Sequence, residues 1–343
     1  MLRDKHFIGL FILIIFFTAS LAWADHPSIG ISSELAGPIQ TISATTLPEG
    51  RWSVGLRTEF IKLDSFSDIT LKQLALQGEE IHSSDYLLSP SFGISYGLSD
   101  NLMFSLSIPY VLRNNIREGH LEDGTPEVHV HKDSKGIGDL TLFSKYHFDF
   151  LKNRYHETSL LLGLKLPTGN TYAKDQNGER FEIEHQPGSG SWDPFIGVAI
   201  TKTYKLLSFS ANFLYTFATE GAQKTNLGDL INYNLAISHR FDSEIGHSHS
   251  TDVGAHHDYS SHVDLVWDLI LEVNGEKRQK LTIGDTEDEN SGGGLLDISP
   301  GVRLTANNRW SASLLVRFPV YQDLNGKQHD TDLRIIFGIG MGL

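Results

Sequence analysis

Apolar and polar residues alternate with a period of two over most of this chain. In its last fourteen residues, "DTDLRIIFGIGMGL", Leu333, Ile335, Phe337, Ile339, Met341 and Leu343 take every second position, while Arg334, Gly338, Gly340 and Gly342 take most of the others. A β-strand sends successive side chains to opposite faces, so such a stretch has one oily side. The pattern recurs, bounded by turn residues, and predicts twelve strands near 51–60, 86–98, 102–113, 139–150, 158–167, 192–202, 207–217, 231–240, 263–274, 295–305, 310–321 and 331–343. The seventh is the cleanest, with Leu207, Phe209, Phe213, Tyr215 and Phe217 set against Ser208, Ser210, Asn212 and Thr216.

The links between these strands alternate in length. Those after the second, fourth, sixth and tenth are short ("SDN", "LKNRYHE", "TYK", "ANNR"), and those after the odd-numbered strands are longer. Short turns at one end and long loops at the other mark a bacterial outer-membrane barrel, which also needs an even strand number. A soluble β-sandwich alternates faces too, but has no reason to alternate loop lengths. The expected fold is all-β, a single transmembrane antiparallel up-and-down β-barrel of about 12 strands. On this reading the oily face of 333–343 meets lipid, and the last strand pairs with the first to remove both edges. Outer-membrane lipid, lipopolysaccharide and the barrel assembly machinery are then the expected partners, with a small-molecule solute in the lumen.

The N-terminus agrees with export. Arg3 and Lys5 precede an apolar run from Phe7 to Phe17, followed by Ala22-Trp23-Ala24, so residues 1–24 read as a secretory signal peptide and 25–343 as the barrel. No later segment is apolar enough for a spanning helix. Cysteine is absent, which excludes disulfides and thiolate sites. The formal charge of -14 argues against a nucleic-acid partner.

Sorting the strand positions by face assigns Arg51, Arg57, Asp139, Lys145, Arg240, Asp264, Asp268, Glu272, Arg303, Arg317 and Arg334 to the lumen, together with Glu59, Arg113, Asp149, Lys165, Asp193 and Asp297. Positive and negative groups nearly balance there. Two readings stand: the charges pair across strands and fill the interior, or they line a polar path. Asp264, Asp268 and Glu272 recur every four residues, as an acidic stripe or as partners for luminal arginines. Twelve strands lie between the eight that side chains fill and the sixteen that leave a wide pore, so the channel should be narrow or gated.

One link breaks the length rule. Residues 243–262, "SEIGHSHSTDVGAHHDYSSH", stand where a short turn belongs and hold His247, His249, His256, His257 and His262 without a Lys or Arg. Such a tract is either a solvated loop or a site for Zn²⁺, Ni²⁺ or Cu²⁺. A second group, His120, His129 and His131, falls in a long loop, and there a solvated surface is the plainer reading. Outward His239 lacks a serine two residues away, and the "GIGD" and "GGG" glycines match no phosphate loop, so no enzyme and no resident cofactor are expected.

The segments "GIGDLTLFSKYHF", "LLLGLKLPTGNTY", "QPGSGSWDPFIGVAITK" and "GVRLTANNRWSASLLVRFPVYQDLNG" resemble the outer-membrane transporters grouped as the phenol-degradation meta-pathway family. The resemblance implies a barrel that passes small or apolar compounds, aromatic ones among them, and brings no catalytic residues. The expected function is thus a passive outer-membrane channel. The alternatives are a metal-associated outer-membrane protein and, more remotely, a barrel enzyme.

Overall fold

The computed structural model describes residues 27–28, 35–148, 156–242 and 264–343. The expected signal peptide, Asp149 and the histidine tract 243–262, with His247, His249, His256, His257 and His262, lie outside the described residues.

Twelve antiparallel strands close into one barrel: β1 (Trp52–Leu63), β2 (Tyr86–Ser99), β3 (Leu102–Glu122), β4 (Thr141–Phe148), β5 (His156–Lys165), β6 (Asp193–Tyr204), β7 (Leu207–Thr216), β8 (Leu230–Asp242), β9 (Leu265–Arg278), β10 (Gly293–Ala306), β11 (Trp310–Leu324) and β12 (Thr331–Gly342). Each pairs with its sequence neighbours. The circle closes where β1 meets β12, with Val54 opposite Met341, Leu56 opposite Ile339 and Phe60 opposite Ile335. All twelve predicted strands are present, and no helix among the described residues is long and apolar enough to cross a membrane.

Alternation sets the two faces. On β6, Asp193, Phe195, Gly197, Ala199 and Thr201 are buried while Pro194, Ile196, Val198, Ile200 and Lys202 are exposed. The exposed band of Leu, Ile, Val and Phe is bordered at the short-turn end by Trp52, Phe104, Tyr146, Tyr204, Phe241, Trp267 and Trp310, and at the long-loop end by Tyr110, Trp192, Phe217, Tyr233 and Tyr321. Tyr233 and Phe241 stand eight residues apart on β8, about 27 Å along a strand. Tilted strands of that length match the apolar band and aromatic girdles of outer-membrane barrels.

The loop after β1 contains α1 (Asp68–Ala75), whose Ser67 cap accepts the Thr70 N–H, and a short strand, Ile81–Ser83. Leu71, Leu74 and Ile81 pack with Phe66 and Val128. The third strand runs further than the sequence predicted: β3 continues past Arg113 to Glu122 and returns as Thr125–Ile137, an arm projecting beyond the barrel wall. Polar residues occupy both faces of that extension, so periodicity there carries no lipid-facing signal and the stretch reads as loop.

Candidate functional site

A segment ahead of β1 occupies the lumen. Ile39, Gln40, Thr41, Ile42, Ser43 and Ala44 are all buried. Their backbone has no sheet partner, so its polar groups are met by luminal side chains, as buried peptide groups must be. Glu272 accepts the N–H groups of Ile39 at 2.6 Å, Gln40 at 3.1 Å and Thr41 at 2.7 Å, and the Thr41 hydroxyl at 2.6 Å. Asn212 takes the Ile42 N–H and Thr201 the Ala44 N–H. Arg303 donates to the Pro38 carbonyl and Lys145 to that of Thr45. The segment thus crosses from β9 and β10 to β4 and β5. Small residues make room for it: a Cβ on Gly340 or Gly342 would meet the Leu35 side chain at 3.0 or 2.8 Å.

The two sides of the lumen differ. Along β8 to β12 and β1 the interior is ionic. Arg317 contacts Asp297 at 2.6 Å and Glu59 at 3.8 Å, Arg57 contacts Glu59 at 3.4 Å, Arg334 contacts Glu276 at 2.8 Å, and Arg240 holds Asp268 at 2.9 Å. On β4 to β7 an apolar cluster of Phe143, Leu161, Phe195, Ala199 and Leu214 packs with Ile42 and Ala44 of the inserted segment, beside the polar groups of Lys145, Thr201 and Asn212 that hold it.

Above the segment, toward the long loops, lies a chamber of about 190 Å³. Ile42 forms its floor, Ser89, Ser105 and Ser107 one wall, and Phe143 and Phe195 another. Phe195 lies across Gly163, where an added Cβ would stand 1.9 Å from the ring. The chamber's upper rim joins the glycine-rich motifs. Asp139 of "GIGD" accepts the Gly169 N–H of "LPTG" at 2.9 Å and the Ser189 N–H of "QPGSGSWDPF" at 2.7 Å. Lys165 sits between Asp139, at 3.7 Å, and Asp193, at 2.5 Å. Gly169 and Gly188 touch back to back, and a Cβ on Gly169 would lie 2.6 Å from the Gly188 Cα. Motifs scattered over some fifty-five residues therefore meet at one place, where they bind loop 166–192 across the barrel mouth.

Beyond that rim, three outer elements bring histidines and carboxylates together. His131 Nε2 lies 3.1 Å from a Glu118 oxygen, and its Nδ1 lies 3.2 Å from Asp175. His82 Nε2 approaches the same Glu118 oxygen at 3.6 Å, with its Nδ1 3.8 Å from Glu184 and 3.9 Å from Glu182. Burial works against charge on His82, but Glu118, Glu184 and Glu182 outweigh it and raise the ring to about 9. The hydrogen bonds from His131 and His82 hold the Glu118 carboxyl far below the usual carboxylate range. Burial, reinforced by charge on His82 and Arg113, pushes His185 well below an ordinary imidazole.

Of the lumen residues expected from sequence, Arg57, Asp139, Lys145, Asp268, Glu272, Arg303, Arg317 and Arg334 are buried inside the barrel, and Arg240 is half-buried at the short-turn mouth. Arg51 and Asp264 correct the expectation. Both are exposed beyond strand ends: Arg51 follows the turn that leads into β1, and the Asp264 N–H donates to Asn307 in the neighbouring turn. Face-sorting fails there because alternation has no meaning off the sheet. Glu272 also departs from the expected pairing with arginine, since its carboxylate serves the inserted backbone. His82, Glu118 and His185 went unrecognised in the sequence; the one local signal was the H-x-H spacing of His129 and His131, which places both on one strand face.

The geometry defines an outer-membrane-type barrel with an occupied lumen, and comparison with known proteins agrees. The family described as "Putative MetA-pathway of phenol degradation" matches residues 88–284, more than half of the 343 residues. The chain belongs to that family. No curated protein matches it. Among solved structures, the COG4313 outer membrane channel from Pseudomonas putida F1 is similar over 88% of this chain and 98% of that one, with a TM-score of 0.52 and 14% identity, and shares the fold. LpxR from Salmonella typhimurium aligns over 84% of this chain and 99% of its own at a TM-score of 0.40 and 13% identity, and the NanC porin over 84% and 100% at 0.40 and 8%.

Proposed function

We propose that the protein is an outer-membrane channel, without enzymatic activity, that admits small apolar or aromatic molecules through the luminal chamber. The observation that carries this reading is the chamber's asymmetry. A space of this size, lined by Phe143, Phe195, Ile42 and serine hydroxyls, with Arg57 paired to Glu59 and Lys165 to Asp139 and Asp193 at its edges, favours a flat apolar solute with a polar edge over a hydrated ion. Its volume is below the roughly 300 to 1,000 Å³ of pockets for drug-sized ligands, which fits a solute about one ring in size. The luminal charges are engaged with one another or with the inserted segment, so they offer an ion little to exchange for its hydration shell. The exposed apolar band and its aromatic borders suit lipid and lipopolysaccharide, with the long loops outward.

Liposome swelling and planar-bilayer conductance test the reading. The full chain should pass single-ring aromatic solutes while conducting salt in very small steps of weak ion preference. Large, strongly selective conductance would overturn it, as would a failure of every small solute to enter.

A further inference from the structure

The outer histidine and carboxylate cluster has a geometry that the channel reading does not use. We propose that His82, Glu118 and His131 form a binding site for a divalent transition metal of the zinc type, clamping the outer loops over the chamber. Three observations converge. Two ligands each 2.0–2.1 Å from a tetrahedral ion stand about 3.3 Å apart, and the Glu118 oxygen lies 3.1 Å from His131 Nε2 and 3.6 Å from His82 Nε2. The ligand atoms of this triad all fall within 4.8 Å of one another.

The second observation lies behind the ligands. A metal-bound histidine ordinarily gives its other ring nitrogen to a carboxylate, which fixes the tautomer and raises the basicity of the ligating nitrogen. His131 has this support from Asp175, hydrogen-bonded to its other nitrogen at 3.2 Å, and behind His82 the Glu184 and Glu182 carboxylates stand at 3.8 and 3.9 Å, in electrostatic contact with the ring. The nearby Arg180 is held elsewhere, over the Tyr172 ring and on the Thr171 carbonyl.

The third is His185. It is 6% exposed, its ring centroid lies 4.6 Å from that of His82, and neither of its ring nitrogens makes a hydrogen bond, although Nε2 is 3.2 Å from a Glu184 oxygen. A buried imidazole close to a carboxylate but misaligned for hydrogen bonding is a ligand in waiting, and with His82 and Glu184 it forms a second triad.

The three ligands come from three separate pieces of chain. His82 lies on the short strand after α1, Glu118 on the extension of β3, and His131 on the returning arm, while Asp175, Glu184 and His185 belong to loop 166–192. An ion here would tie that loop, whose Gly188 and Ser189 line the chamber, to the arm and the first loop. Two imidazoles and one carboxylate leave at least one coordination position for water or His185, as in open zinc sites.

The test separates this site from the histidine tract at 243–262. In the full chain, free of any purification tag, the five tract histidines are first replaced by Ala. Calorimetry with Zn²⁺ and absorption spectroscopy with Co²⁺ should still show one tight site with tetrahedral or five-coordinate bands. His131→Ala and Glu118→Gln on that background should abolish both signals, and Asp175→Asn should weaken Zn²⁺ binding about tenfold to a hundredfold. A shift in gel mobility on boiling equal to that of the parent protein confirms that each variant keeps its barrel. The proposal fails if the five-Ala protein binds no Zn²⁺ below about millimolar, or if the His131→Ala barrel binds it as tightly as its parent.

Discussion

The barrel holds two clusters of ionisable side chains, one in the lumen along β8 to β12 and β1, the other in the outer loops. Luminal cations and anions meet as matched partners, Arg317 with Asp297 and Arg240 with Asp268 on adjacent strands and Arg334 with Glu276 across the lumen. In the outer cluster His82 and His131 face Glu118, Asp175, Glu182 and Glu184, and the His185 ring makes no hydrogen bond. A buried charge without a partner is costly, so interior charges are met by an opposite charge or, at Glu272, Arg303 and Lys145, by backbone groups of the inserted segment. Loops at a water boundary tolerate mismatch and can hold a ligand that completes the set. The first cluster holds a structure closed, and the second is arranged to receive something.

The comparison breaks most visibly at Arg317. Arg317→Ala leaves Asp297 and Glu59 buried without that cation, which should cost about 3–5 kcal/mol. Urea unfolding followed by gel mobility should show the loss, whereas Glu118→Gln in the outer cluster should leave the barrel's midpoint in place. Equal effects of the two changes would mean that the clusters do not differ in kind.

A change at Glu272 should act on the inserted segment and spare the wall. Glu272→Ala frees three backbone N–H groups and the Thr41 hydroxyl. At about 1–3 kcal/mol per buried unsatisfied group, docking of residues 39–44 should weaken by several kcal/mol. Single-channel steps should enlarge and the segment should become open to protease. If conductance stays at the wild-type level, the segment is not what closes the lumen.

A smaller effect belongs to the rim that joins the two regions. Gly169→Ala pushes a methyl group against Gly188 and should cost about 1–3 kcal/mol. Hydrogen exchange should rise in loop 166–192 while the strands of the barrel stay protected.

The mildest perturbation is pH, applied to chelator-treated protein. His82 is raised from 6.5 to about 9, so its contribution to the outer contacts is complete below pH 6.5 and fades as pH rises through about 9. Glu118 is depressed, so its contribution is present above its ordinary value of 4.5 and is lost as pH falls through its lowered value in the folded protein. Hydrogen exchange around 81–83 should therefore increase between pH 6.5 and 9.5. A His82 ring that titrates near 6.5 by NMR would remove the basis for this.

The strands were legible because lipid outside and polar or tightly packed groups inside impose a period of two on every crossing, as on β6 and β8. The same rule named most luminal charges and failed at Arg51 and Asp264, where the chain leaves the sheet. Glu272 was assigned to the right face and the wrong partner, because the register of a strand carries no record of what another segment brings to it. Residues 39–44 show only weak alternation, and their burial follows from the cavity they enter. His82, Glu118, His131 and His185 are spread over a hundred residues of loop and arm, and no local pattern joins them.

The sequence by itself determined the number of strands, their order, the oily belt and the charges turned inward, since each follows from near-neighbour alternation and turn spacing. Only the tertiary structure decided that the lumen is filled by the chain's own segment, that three glycine-rich motifs converge on Asp139, and that an outer cluster of imidazoles and carboxylates exists. Those arrangements depend on closure of the ring between β1 and β12, which brings distant residues within a few ångströms and leaves a cavity whose contents periodicity cannot specify.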